Sequence, residues 1–327
     1  MPIILEDDFP AADALRKEGV SVIHRTDAIH QDIRPLIIGI LNVMPNVEAT
    51  ELDFLRLFAH DMLQIQPVFV RTKTFNGPEE TGRHLKLSYS TFDEIQDVKF
   101  DAFMTTGANQ ELLSNEKSGN ERKIKPFEEV SFWNEYVEIS HWMRENVHTT
   151  LHSCWSAMAE LHIHHGIQNQ LLPKKTLGVF EHRLQNQTHP LIRNFDDPHF
   201  VPVARNTEIL QGDIDRQPDL VTLSASKETG PYIVQSRNDR HTYAFNHAEY
   251  PKNALGLEYN RDLNLGLDLD VLRGYYIDND PRNDVNYRWS ALGRLLMNNW
   301  VNGIYQRISR PVVHGSNGNK HLIEYHI

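Results

Sequence analysis

Leu36-Ile37-Ile38-Gly39-Ile40-Leu41 is an unbroken apolar run with several β-branched residues, bounded by polar neighbours. A strand that is apolar on both faces needs cover on both faces, and parallel sheets wrapped by helices provide it. The pattern then repeats. Asn42 to Asn46 reads as a loop. Thr50 and Glu51 open an amphipathic helix to about Phe58, with Leu52, Leu55, Leu57 and Phe58 as its apolar set. Further strands are expected at 66–72, 101–107 and 149–153, with a helix at 130–147 ahead of the last. Such alternation implies an α/β fold with a doubly wound, mostly parallel sheet. Ligands bind such sheets beyond the carboxyl ends of the strands. The loops at Asn42 and Gly107, and Cys154 after the 149–153 strand, should therefore converge.

The rest of the chain divides around that core. Residues 1–35 read as an N-terminal arm with a short helix at 11–18. Residues 36–307 read as one α/β domain, with later strands at 176–180, 220–225, 232–236 and 242–245 and a helix at 289–304. Residues 308–327 read as a polar C-terminal tail. The polar stretch at 114–125 reads as a mobile surface loop or lid. A formal net charge of −11 speaks against a nucleic-acid partner, which needs a basic footprint, and against an anionic membrane surface. No run approaches the ~20 apolar residues of a membrane span. No signal peptide is evident, so a cytoplasmic protein is expected. A single cysteine excludes an internal disulfide and a multi-cysteine metal site. His162, His164 and His165 lack a repeating ligand spacing, so no metal is expected.

A lone cysteine is most often a small buried hydrophobe. Cys154 differs in its setting, between the strand ending at Ser153 and the helix opening at Trp155. Helix N-terminal amides beneath a thiol favour a thiolate, and later an oxyanion. A cysteine nucleophile also needs a base and an orienter. His247-Ala248-Glu249 follows a strand, and residues i and i+2 of an extended segment point to one side. Glu249 could hold one ring nitrogen of His247 while the other faces Cys154.

Several ordered segments then resemble the homoserine O-acyltransferase family, whose fold is flavodoxin-like and class I glutamine amidotransferase-like. They include Ile40-Leu41-Asn42-Val43-Met44-Pro45, Thr105-Thr106-Gly107-Ala108, Phe127-Glu128-Glu129-Val130 and His152-Ser153-Cys154-Trp155. Gly178-Val179-Phe180-Glu181-His182, His247-Ala248-Glu249-Tyr250 and Glu258-Tyr259-Asn260-Arg261-Asp262 continue the series. The resemblance covers roughly residues 1–307. It implies ping-pong transfer from an acyl-CoA, with Cys154 as nucleophile, His247 as base and Glu249 as its orienter. The oxyanion would meet the backbone amide of Trp155 and another in the loop after Leu41. Arg261 would hold the acceptor's carboxylate. Lys175, Arg205, Glu258 and Asn42 would complete the substrate site. Glu111 would favour acetyl-CoA over succinyl-CoA, because a carboxylate there repels a second one. No cofactor is implied beyond acetyl-CoA as co-substrate, and relatives are commonly homodimers.

The chain departs from that family's pattern at Val47, Ala204, Asn206 and Ala248, and at Ser156, Met158 and Glu160 after the cysteine. L-Homoserine is the expected acceptor. L-Serine, one methylene shorter, is the alternative, and succinyl-CoA is the alternative donor. An amidohydrolase using the same triad, or a binding protein that kept the fold, are the other classes.

Overall fold

The computed structural model describes residues 2–31, 33–59, 63–74, 79–113 and 122–308. Most of the expected lid and the C-terminal tail lie outside the described residues. In chain order the strands are β1 (Ile3–Leu5), β2 (Val22–His24), β3 (Leu36–Leu41), β4 (Ile65–Arg71), β5 (Ser90–Thr91), β6 (Ala102–Thr105) and β7 (Thr149–Ser153). There follow β8 (Gln170–Leu184), β9 (His199–Glu208), β10 (Leu220–Ser226), β11 (Gly230–Ser236) and β12 (His241–Ala244). Among the described residues they form one sheet of order β2-β1-β4-β3-β6-β7-β12-β11-β10-β8-β9, with β5 against β4. The half from β2 to β12 is parallel, and the half from β12 to β9 is antiparallel. The fold is α/β with a mostly parallel central sheet. The N-terminal segment, expected to stand before the fold as an arm, instead enters it: β1 and β2 extend the parallel edge.

The helices are α1 (Ala11–Lys17), α2 (Arg25–Ala28), α3 (Val47–Phe58), α4 (Glu79–Ser88), α5 (Phe92–Ile95), α6 (Trp133–Asn146), α7 (Trp155–His165), α8 (Gln211–Asp215), α9 (Ala254–Asn264) and α10 (Ser290–Ile308). Two cores lie on opposite faces of the sheet. Ile38 and Ile40 pack with Phe54, Leu55 and Phe58 of α3 and with Leu296, Trp300 and Ile304 of α10. Leu41 and Phe103 pack with Tyr136 and Ile139 of α6 and with Ala157 and Leu161 of α7. Burying one such side chain is worth about 1.5–3 kcal/mol, so a strand apolar on both faces selects helices on both sides. No helix among the described residues is long and apolar enough to cross a membrane.

Helix α3 starts three residues before the expected Thr50, and α6 starts at Trp133 because a 3₁₀ turn, Phe127–Glu129, comes first. Two elements carry no clear sequence signal. β9 pairs antiparallel with β8 through a mixed polar stretch containing Pro202. Helix α9 buries Leu255 but exposes Leu257 and Leu263, so it has no apolar stripe to read.

Gly39 lies opposite Phe103 across β3 and β6, and a β-carbon there would overlap the Phe103 ring. Gly39→Ala should destabilise the protein by about 1–3 kcal/mol through overpacking. Adding Phe103→Leu should recover part of the loss in urea unfolding; strict additivity of the two changes would argue against this contact.

Candidate active site

Cys154 is the turn between β7 and α7, buried, with φ +50 and ψ −115. Positive φ is costly for a residue with a β-carbon and persists only where surroundings enforce it. Here the Cys154 N–H donates to the Ala244 carbonyl of β12 at 2.7 Å. Ser156 Oγ donates to the Thr106 carbonyl at 2.6 Å, tying the first turn of α7 to the loop after β6. Trp155 packs its ring among Phe127, Phe132, Trp133 and Tyr136. Its N–H opens α7, where helical amides have no intrahelical acceptor.

His247 follows β12, the parallel neighbour of β7, so the sheet sets His247 beside Cys154. The His247 and Pro202 backbones are joined at 2.9 Å. Nδ1 of His247 lies 2.6 Å from Oε1 of Glu249, and His247 and Cys154 line one cavity. Burial disfavours a charged imidazole, but Cys154 and Glu249 outweigh it and hold His247 well above its ordinary value. The Tyr250 ring stacks on His247 with centroids 4.3 Å apart, and its hydroxyl donates to Glu258 at 3.2 Å. Gly107 passes so close that a β-carbon would stand 3.3 Å from Cys154 Cβ and 3.9 Å from His247 Cε1.

These groups open on a cavity of about 470 Å³. One wall is charged. Lys175 Nζ donates to Glu258 Oε1 at 2.5 Å and to Asp262 Oδ2 at 2.6 Å. Burial opposes its charge, but the two carboxylates prevail and raise its pKa. Arg261 donates to Asp262 at 2.8 Å and to Glu258 at 3.3 Å, with its side chain 51% exposed. Asp262, absent from the sequence-based site, is with Glu258 one of two carboxylates that both cations share. Glu111 also lines the cavity. Its oxygens accept from the backbone and side chain of Asn206 and of Thr207.

Two expected substrate residues lie elsewhere. Arg205 is buried and donates to Asn246 Oδ1 and to the Thr229 carbonyl, so it braces the residue before His247. Asn42 is buried and donates to the Val47 carbonyl and Tyr89, so it shapes its own loop. The second oxyanion amide expected in that loop is also engaged. Val43 N–H donates to Thr106 Oγ1 at 3.0 Å and Met44 N–H to Asn42 Oδ1 at 3.1 Å. The Gly107–Ala108 segment packs against Cys154 and lines the cavity, as Met44 does. The histidines after Cys154 have separate partners: Glu128 for His162, Ser140 for His164 and Asp219 for His165.

Behind Glu249 a smaller cavity of about 110 Å³ is lined by Asp53, Arg56 and Glu18 among others. Burial and then the charge of Glu249 raise the Asp53 carboxyl to about 7, against a partial offset from Arg56.

The fold is that of solved glutamine amidotransferases. A glutamine amidotransferase from Thermotoga maritima superposes with a TM-score of 0.53 at 11% identity, over 84% of this chain and 99% of that one. One from Methylobacillus flagellatus gives 0.51 at 10% identity, over 89% and 100%. At such identity the likeness concerns the fold alone. The model of the homoserine O-succinyltransferase family matches residues 2–310, and the chain belongs to that family. It is an acyltransferase. Proteins named homoserine O-acetyltransferase are similar throughout: 41% identical in Brevibacillus brevis, over 92% of this chain and 95% of that protein, and 39% in Clostridium acetobutylicum, over 92% and 96%.

Two outcomes follow from the packing. Gly107→Ala should cut acyl transfer about tenfold or more by displacing Cys154 or His247, because small misplacements of reacting groups are costly. The melting temperature should barely move; an unchanged rate would show that the approach is slack. Asp53 binds its proton more tightly folded than unfolded. Its stabilising effect is whole below about pH 4 and lost as pH rises through about 7. Asp53→Asn should therefore raise the melting temperature at pH 8, with an upper limit of about 4 kcal/mol, and leave it nearly unchanged at pH 4. A shift of equal size at both pH values would exclude titration of Asp53 as the cause.

Proposed function

We propose that the protein transfers an acetyl group from acetyl-CoA to the side-chain hydroxyl of L-homoserine through a thioester on Cys154. The observation that carries this is His247, 2.6 Å from Glu249 and set beside Cys154 at the wall of a cavity bearing Arg261 and Lys175. The Cys154 thiolate attacks the acyl carbonyl. The oxyanion is held by the Trp155 amide and by the Gly107–Ala108 segment in place of the loop after Leu41. The carbonyl–sulfur bond to CoA breaks, and CoA leaves with the proton from His247. The acceptor hydroxyl then gives its proton to His247 as its oxygen attacks the thioester, and the Cys154 thiolate is released.

Glu249 keeps the imidazole oriented, and Tyr250 stacks against its face. The exposed edge of Arg261 suits the acceptor's carboxylate, while Asp262 and Glu258 hold the guanidinium in place. Acetyl as the group transferred is supported by the names of the relatives and by Glu111, whose negative charge in the cavity disfavours a second carboxylate.

The test is CoA release from acetyl-CoA and succinyl-CoA, crossed with L-homoserine and L-serine, with Cys154→Ala as control. Acetyl-CoA with homoserine should release CoA only with the acceptor at a sustained rate, and Cys154→Ala should abolish it. Preference for serine would move the acceptor and point to Asn206 and Ala204 in the cavity wall. Full activity in Cys154→Ala, or hydrolysis indifferent to either acceptor, would overturn the mechanism.

A further inference from the structure

Residues 122–125 return from the polar stretch beside the cleft and lie against the segment after Glu111. Leu112 and Ile124 form an antiparallel bridge. Leu113 N–H donates to the Lys123 carbonyl and Lys125 N–H to the Glu111 carbonyl. This places Arg122 on a bulge, where residues 172–175 of β8 stand opposite Asn206 alone on β9. Its guanidinium donates to the Leu172 carbonyl at 2.8 Å and to Asn206 Oδ1 at 2.8 Å. Arg122 and Cys154 line the same cavity.

The charges in that cavity are unevenly matched. Lys175, at the other end of the bulge, and Arg261 both contact Glu258 and Asp262. Arg122 donates to two neutral acceptors instead. Glu111 acts on it through space but is itself held by donors from Asn206 and Thr207. A guanidinium carries five N–H groups in a fork suited to carboxylate and phosphate, and these two bonds leave donors to spare. Leu112 and Leu113 line the cavity beside it, so an apolar shelf leads to a cation. The acceptor's charges have their complement on α9.

We propose that Arg122 is a specificity residue of the donor side, which binds an anionic group of the acyl-CoA. This rests on the acyl-CoA reading above. The anion has two sources: a phosphate of CoA, or the terminal carboxylate of a dicarboxylic acyl group.

Arg122→Gln and Arg122→Lys, checked by thermal melting, are compared with the unsubstituted protein at saturating acceptor. The donors are acetyl-CoA, succinyl-CoA and S-acetylpantetheine, which has no phosphate. The glutamine variant should raise the KM of the affected donor about tenfold or more with kcat nearly kept, and lysine should restore part of it. A rise with both CoA thioesters but not with S-acetylpantetheine identifies the phosphate. A rise confined to succinyl-CoA identifies the acyl carboxylate. No rise with any donor, an equal fall in kcat with all three, or a rise only in the acceptor's KM overturns the proposal. If Arg122→Gln does not fold, Arg122→Lys decides by the same donor contrast. If the unsubstituted protein uses none of the three donors, the acyl-CoA reading itself has failed, and that is visible without any variant.

Discussion

The positive-φ backbone of Cys154 is the constraint on which the site depends. A conformation of this kind costs on the order of 1–3 kcal/mol, and three separate contacts keep it in place. The Ala244 carbonyl takes its N–H, Ser156 ties the following turn to Thr106, and the Trp155 ring fills the aromatic cluster under α7. Each comes from a different element. The elbow is therefore a product of the assembled sheet, and it sets Cys154 and His247 both against Gly107. Moving any of these supports would move Cys154 relative to His247.

A second constraint fastens the charged wall. Helix α9 offers few apolar residues to the core, yet it docks on β8. Lys175 supplies the bond, buried between Glu258 and Asp262. Removing such charges from water is costly unless each finds partners of good geometry, and here both carboxylates and the ammonium are matched. The same pairs hold Arg261. Structural clamp and substrate wall are thus one network, and polar residues that read in sequence as surface charges form a buried joint.

Most of the parallel half of the sheet was legible because its strands are apolar on both faces and its helices carry clear stripes. The elbow was legible from Ser153-Cys154-Trp155, and the base from His247-Ala248-Glu249. Direction was not. Arg205 looked like a substrate cation, yet its strand turns it inward to Asn246 and the Thr229 carbonyl. Asn42 and the amides after it looked available to a ligand, but they satisfy one another and Thr106. The bond from Lys175 to Asp262 and that from Ser156 to the Thr106 carbonyl gave no signal, because each joins residues far apart in sequence. The arm at 1–35 became a sheet edge, since β1 and β2 are too short to announce themselves.

The sequence by itself determined the parallel sheet and the place of its cleft, because hydrophobic periodicity is local, and it offered Cys154, His247 and Glu249 as candidates. Only the tertiary structure decided which polar side chains face the cavity. It turned Glu111, Lys175, Glu258 and Arg261 toward the cleft and buried Arg205 and Asn42 beneath it. The physical reason is that a buried polar group goes where its hydrogen bonds can be met. Those partners are set by strand order and register, which join residues that the chain itself keeps far apart.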